Sequence, residues 1–382
     1  MMEIVQKNKA LIVPQTIQHD FGSGPTSFAH GVVRGQNDPA YFSHMRSGRP
    51  LLNEALQSAQ LTQQPAKLAG KWLYLGGLHT HFGHFLSECI HRAWAWGLYR
   101  DQCCGALFLP NVKEYELDRH LPGYAKDILG LFGLDESNIR YITELTEVDE
   151  LVIPEPGSQL FKPVSTEYLR YLSTLQLGER LANQPLPDNF SPKIFVSRKN
   201  FRMRAIAGLH ALEPSLQNEG YFIFYPEMHP VLTQLKVYSQ AEKIIVEEGS
   251  AIHLLELFDK IDADVVVISR RPETKQFNNI IRARTTHFVN YNQVILLPSL
   301  SGDVANNLPI TDIRKLAEFL IEHGFASPSL AVDPDWTGNV KIDIFNFLLK
   351  HAEPSAPIFK EKVIDYLRSV NKFFKHVEAY DK

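Results

Sequence analysis

The shortages in this chain say the most about its class. Cysteine is scarce: Cys89, Cys103 and Cys104 are the only three in 382 residues. An odd count with an adjacent pair gives neither a disulfide framework nor the spacing of a zinc knuckle or redox motif, which fits a reducing compartment. Long apolar runs are missing, none approaching the roughly 20 residues that span a bilayer. The opening Met1-Met2-Glu3 alternates into polar and apolar residues without the basic start and apolar stretch of a signal peptide, so a cytoplasmic location is expected. Charge of one sign is not in excess either. With 39 Lys and Arg against 43 Asp and Glu, the net charge is -4, and no overall field recruits nucleic acid.

What is present is an ordinary globular composition, 44% hydrophobic and 21% charged, which supports a packed core throughout. The length suits two domains better than one. From Trp72 to Leu75 an apolar strand leads through Gly76-Gly77 into a long helical pattern. Strands at Leu107 to Pro110, Ile139 to Thr143 and Leu151 to Pro154 follow, with a helix at Tyr124 to Phe132. The Pro- and Asn-rich stretch Asn183 to Pro192 reads as a linker. A second alternating block has strands at Ile194 to Ser197, Tyr221 to Tyr225, Lys243 to Glu247 and Asp264 to Ser269, and helices at Pro230 to Ser239 and Ser250 to Phe258. Such alternation implies α/β domains on mainly parallel sheets. The expected division is an α/β domain over 1–182, a Rossmann-like domain over 191–300, and a helical C-terminal extension over 301–382.

The stretch Leu78 to Tyr99 carries the most chemistry. At about 100° per residue, Glu88 falls about 40° from His84 and His91 about 20° the other way, while Phe85, Leu86, Cys89, Ile90 and Trp94 share the opposite face. One helix face is predicted to be core and the other titratable. His79 and His81 in the preceding loop add to it, at the carboxyl end of a strand where α/β proteins bind ligands. A His beside a carboxylate suits general-base work, with the base left open between His84 and Glu88. His79, His81, His84 and Glu88 also resemble a metal ligand set, and a metal-dependent hydrolase using the cluster from His79 to His91 is the alternative function.

In the second block, the strand at Ile194 ends in Ser197-Arg198-Lys199-Asn200 with Arg202 and Arg204 close behind, a cluster of cations suited to a diphosphate. Lys243 to Glu247 runs into Glu248-Gly249-Ser250-Ala251, a strand, a tight turn and a helix start whose free N–H groups suit an anion. Glu247 and Glu248 would repel that anion, and hydrogen bonding to ribose or sugar hydroxyls suits them better.

Together these motifs resemble glycosyltransferase family 61, in particular its bacterial capsule and polysaccharide members. The likeness covers about Leu73 to Arg271. It rests on His81-Phe82-Gly83-His84 with Glu88, on Ser197-Arg198-Lys199 with Arg204 and Ile206, and on Gln234 followed by Ala241 to Val246 and Gly249-Ser250-Ala251. The chain has Glu248 where the family usually has His, and Ala207 or Gly208 where it usually has Asn. The resemblance implies a GT-B arrangement, two Rossmann-like domains facing across a cleft, with inverting transfer that needs no metal or other cofactor. His84, Glu88 and His81 would then serve catalysis on the acceptor side. Arg198, Lys199, Arg204, Glu248, Gly249 and Ser250 would hold a nucleotide-sugar donor. The implied acceptor is a glycan or lipid-linked saccharide hydroxyl, and a non-catalytic binding or scaffold member is the other reading, favoured by Glu248.

The last predicted helix, Ile358 to Val377, sets Phe359, Val363, Leu367, Val370, Phe374 and Val377 in one stripe flanked by Lys360, Lys362, Arg368, Lys372 and Lys375. Packing on its own domain or on a second copy is the expectation ahead of peripheral contact with the inner face of a membrane.

Overall fold

The computed structural model describes residues 2–15, 30–33, 35, 37–39, 45–46, 49–50, 64–111, 121–160, 162–200, 205–272, 277–297, 307–351 and 359–380. The chain divides into two compact units. The first takes Met1–Gln184, His253–Lys260 and Asn279–Arg284; the second takes Pro185–Ile252, Ile261–Asn278 and Thr285–Lys382. Two short stretches that sequence places in the second block thus pack in the first unit.

Among the described residues, the strands of the first unit are β1 (Ile4–Val13), β2 (Gly31–Val32), β3 (Met45–Arg46), β4 (Arg49–Pro50), β5 (Ala66–Leu78), β6 (Gly105–Pro110), β7 (Ile139–Tyr141) and β8 (Thr146–Pro154). The main sheet has the order β2-β1-β8-β5-β6-β7. Its centre is parallel, β8 to β5 to β6 to β7, while β1 lies antiparallel on β8 with Ile4 opposite Pro154 and Ile12 opposite Thr146. Buried Leu73, Tyr74, Leu107, Leu109, Leu151 and Ile153 supply its core, as expected of central strands covered on both faces.

The β5 strand is longer than sequence suggests. Gly76-Gly77, read as a loop, stays inside it: the register shifts between Tyr74 and Gly76, and Gly76 has φ 95°, a conformation glycine reaches without strain. The bulge carries the strand on to Leu78. The helical region after it begins at Phe82 and is not one helix. An α-helical turn at Phe82–His84 passes into a π-helical turn at Phe85–Cys89, a 3-10 turn at Ala93–Ala95 and a last α turn at Trp96–Tyr99. Ser87 Oγ donates back to Gly83 O at 2.8 Å, a bond that competes with the regular helix ladder. Phe85 to Ser87, Cys89, Ile90 and Ala93 to Trp96 are all buried, so this segment has no continuous polar face.

The second unit holds a parallel sheet of β9 (Lys193–Val196), β10 (Phe222–Phe224), β11 (Lys243–Glu247), β12 (Asp264–Ile268) and β13 (Phe288–Tyr291), in the order β10-β9-β11-β12-β13. The antiparallel pair β14 (Ile295–Leu297) and β15 (Leu308–Ile310) forms a separate two-stranded ribbon. Strand order 2-1-3-4-5 is a doubly wound arrangement. Mixed α/β structure on parallel sheets is therefore what the chain adopts. The later helices pack in this same unit. On Ile313–Glu322, capped by Asp312 accepting from the Arg314 N–H at 3.0 Å, the residues Ile313, Leu316, Ala317 and Leu320 are buried, the spacing of a core-facing stripe. Helices Trp336–His351 and Phe359–Tyr380 bury Val340, Ile344, Phe347, Tyr366, Phe373 and Val377 in the same core. On the last helix Val370 and Phe374 are partly buried and Leu367 is exposed; the Phe359 and Val363 side chains lie outside the described residues. Among the described residues, no helix is long and apolar enough to cross a membrane.

Candidate functional site

In the first unit, β5 delivers His79, Thr80 and His81 directly onto the helical turn. The Phe85 N–H donates to His81 O at 2.9 Å, and Tyr124 meets the rings of Phe82 and Phe85 edge-on at 4.9 and 5.7 Å, fixing the turn against its own core. His79 is buried and its N–H reaches Cys89 Sγ at 3.3 Å. The His84 ring lies 5.1 Å from that of His81 and 5.8 Å from that of His79. So the structure brings together the three imidazoles and, with them, Glu88.

His84 Nδ1 sits 2.7 Å from Glu88 Oε1. The two side chains differ in exposure, 40% for His84 and 2% for Glu88. A buried carboxylate accepting from Nδ1–H fixes the tautomer and leaves Nε2 as the proton acceptor on the accessible partner. That is the arrangement of an oriented general base. Among the described residues, no group of three or more His, Cys, Asp or Glu could hold a metal ion.

His91 does not share this face. It is 1% exposed, with Nδ1 3.0 Å from the Tyr168 hydroxyl and Nε2 3.4 Å from Glu256 Oε2. Regular helical phase fails here because the π turn is wider than an α turn and the helix breaks at Ile90 before His91 is reached. Glu256 also takes His253 Nδ1 at 2.6 Å. Burial would raise its pKa, but the hydrogen bonds from His253 and His91 outweigh that and hold it below the usual carboxylate range. Arg284 closes the cluster, donating to the carbonyls of Phe258, Ile280 and Glu256 at 2.7, 2.6 and 3.1 Å. These residues anchor the chain just beyond the His84 turn. Sequence gave no sign of the cluster, since Tyr168, Glu256 and Arg284 are far apart along it.

In the second unit, the order of the parallel sheet reverses between β9 and β11, and the carboxyl ends of those strands flank the place where doubly wound folds bind ligands. Ser197, Arg198 and Lys199 leave β9 there, and Glu247 to Ser250 leave β11. Ser197 Oγ donates to Glu213 Oε1 at 2.7 Å, Lys199 Nζ reaches Glu213 Oε2 at 3.3 Å, and the Tyr225 hydroxyl donates to the same oxygen at 2.9 Å. Glu213, which sequence did not single out, therefore orders the start of this loop. The Arg198 guanidinium lies against Gly249, where a Cβ would overlap it; glycine lets the guanidinium come this close to the turn.

Behind this turn is a compact set of opposite charges. Glu248 is buried and accepts the Arg270 N–H at 2.7 Å and Arg271 Nε at 2.9 Å. Burial lowers the Arg270 pKa to about 10. Both oxygens of Glu248 are thus engaged by the two arginines that follow β12. Arg270 and Arg271 could have been found by the rule that flagged Arg198, because they too follow a parallel strand's carboxyl end. Arg204 and Arg202 lie outside the described residues.

A cavity of about 780 Å³ opens beside these strand ends. Ser197, Lys199, Glu247, His210, Asp343 and Phe347 are among the residues that line it. Asp343 accepts the Gly208 N–H at 2.8 Å and pairs with His210 Nδ1 at 3.4 Å. The hydrogen bond that His210 donates to Asp343 raises its pKa against the opposing effect of burial. A mixed polar and apolar pocket of this volume suits a small organic ligand.

No curated protein matches the chain. A protein-family model, described as Glycosyltransferase 61, matches residues 82–268. The matched stretch begins at the first residue of the His84 turn and ends with the last residue of β12, so it contains His84, Glu88, Arg198 and Gly249. That match supports the glycosyltransferase 61 family for this chain, and with it a glycosyltransferase.

Proposed function

We propose that the chain transfers a hexosyl or pentosyl residue from a nucleotide-sugar donor to a hydroxyl of a glycan or lipid-linked saccharide, as an inverting, metal-independent enzyme of GT-B type that serves bacterial polysaccharide synthesis. The observation that carries this reading is the His84–Glu88 pair inside the family match: an accessible imidazole oriented by a buried carboxylate.

In the proposed step, His84 Nε2 takes the proton of the acceptor hydroxyl while that oxygen forms its bond to the anomeric carbon. The bond from that carbon to the β-phosphate oxygen breaks, its electron pair leaving with the nucleoside diphosphate. Arg198 at the Gly249 turn receives the negative charge. Glu88 stabilises the imidazolium that forms. Attack opposite the leaving group inverts the anomeric configuration.

The test is to incubate the full chain with a panel of nucleotide sugars and saccharide acceptors and to read the anomeric configuration of any product by NMR. A product of inverted configuration is expected. A retained configuration, or hydrolysis with no transfer to any acceptor, would overturn the reading.

A further inference from the structure

Glu247 closes β11, and its side chain is turned away from solvent, the residue being 3% exposed. Its carboxylate accepts the backbone N–H of Ile206 at 2.6 Å and that of Arg198. One side chain on β11 therefore fastens two points of the chain that leaves β9, on either side of Lys199. The guanidinium groups of Arg198 and Arg270 are its charged neighbours.

Keeping a carboxylate in that place is costly. Burial pushes its pKa up to about 7, with Arg198, Arg270 and the two N–H groups opposing. An amide or an apolar side chain of similar volume would avoid the desolvation of an ion. Glu248, the next residue, is engaged by Arg271 and the Arg270 N–H, so it cannot take over the role.

We propose that Glu247 is the positioning residue of the Ser197-Arg198-Lys199 motif: by holding the N–H groups of Arg198 and Ile206 together it presents the Arg198 guanidinium at the Gly249 turn to the phosphates of an anionic ligand. The proposal rests on the donor-side reading of Arg198 given above. It assigns Glu247 no contact with the ligand; its effect passes through Arg198.

Binding of inorganic pyrophosphate to the full chain, measured by calorimetry at pH 8, tests this with the variants Glu247→Gln, Arg198→Ala and the double variant. Arg198→Ala is expected to weaken binding about tenfold or more, the loss of one charge-assisted contact. Glu247→Gln is expected to weaken it about fivefold without lowering the melting temperature, and to cost nothing further once Arg198 is gone. A merely structural role would lower the melting temperature and act equally in both backgrounds. Glu247→Met, of similar volume, replaces the Gln variant if that one does not fold.

Wild-type affinity in Glu247→Gln, or an equal loss with and without Arg198, would overturn the inference while leaving the donor-side reading intact. Unchanged binding in Arg198→Ala would overturn both.

Discussion

His84 and Glu88 stand one turn apart with Nδ1 and Oε1 at 2.7 Å, the imidazole reaching solvent and the carboxylate shut away from it. In the proposed reaction the accessible group meets the substrate proton, and the buried one orients it and balances charge. Glu88→Gln keeps the shape but removes the balancing charge, and His84→Ala removes the base. Each is expected to lower kcat by about 10²–10⁴-fold with donor affinity within about threefold of wild type, separated by steady-state kinetics and calorimetry.

Gly249→Ala should behave in the opposite way. Its Cβ would overlap the Arg198 guanidinium, and a flexible side chain gives way more easily than the turn. The variant is expected to fold with a melting temperature within a few degrees of wild type while donor affinity falls about tenfold or more, the loss of Arg198's contact. Calorimetry with the donor checks this. Unchanged affinity would mean that Arg198 serves the fold alone.

Glu256 gives the first unit a dependence on acid. Its folded pKa is depressed, so the stabilisation it brings is present above the unfolded value of 4.5 and is lost as pH falls toward the folded one. Glu256→Gln should flatten that acid slope. Because it leaves His91 and His253 buried beside an amide, it should also cost about 3–5 kcal/mol near neutrality. Urea unfolding from about pH 2 to pH 7 measures both.

For Glu247 the sign is reversed. A carboxyl whose pKa rises from 4.5 to about 7 on folding makes the folded state hold its proton more tightly. Stability is then greatest below 4.5 and falls as pH rises through about 7. Glu247→Gln removes this loss, so above pH 7 the variant should be more stable than wild type, by at most about 3 kcal/mol, while binding pyrophosphate less well. Thermal unfolding across pH 4 to 9 checks the slope.

Much of the second unit could be read from the chain itself. Lys243 to Glu247 is the strand in full, the strand read at Asp264 to Ser269 ends one residue earlier at Ile268, and the one read at Ile194 to Ser197 runs from Lys193 to Val196, one residue off at each end, because parallel strands buried on both faces write themselves as unbroken apolar runs. The Arg198 loop and the Gly249 turn followed from those strand ends. The His84 region was less legible. Counting 100° per residue finds His84 and Glu88 together over one turn but takes no account of a π turn, so it put His91 on the wrong side. Glu213, Glu256 and Arg284 could not be found by pattern, since their partners Ser197, His91 and the Phe258 carbonyl reach them only when segments well apart in the chain pack.

The proposed sugar transfer requires first that a nucleotide sugar bind the folded chain through Arg198, and ligand bound by the folded state alone raises its melting temperature. A thermal-shift screen of nucleotide sugars against wild type and Arg198→Ala measures this directly. At least one donor is expected to raise the melting temperature of wild type and to leave that of Arg198→Ala in place. No shift with any donor, or the same shift in both proteins, would contradict the account.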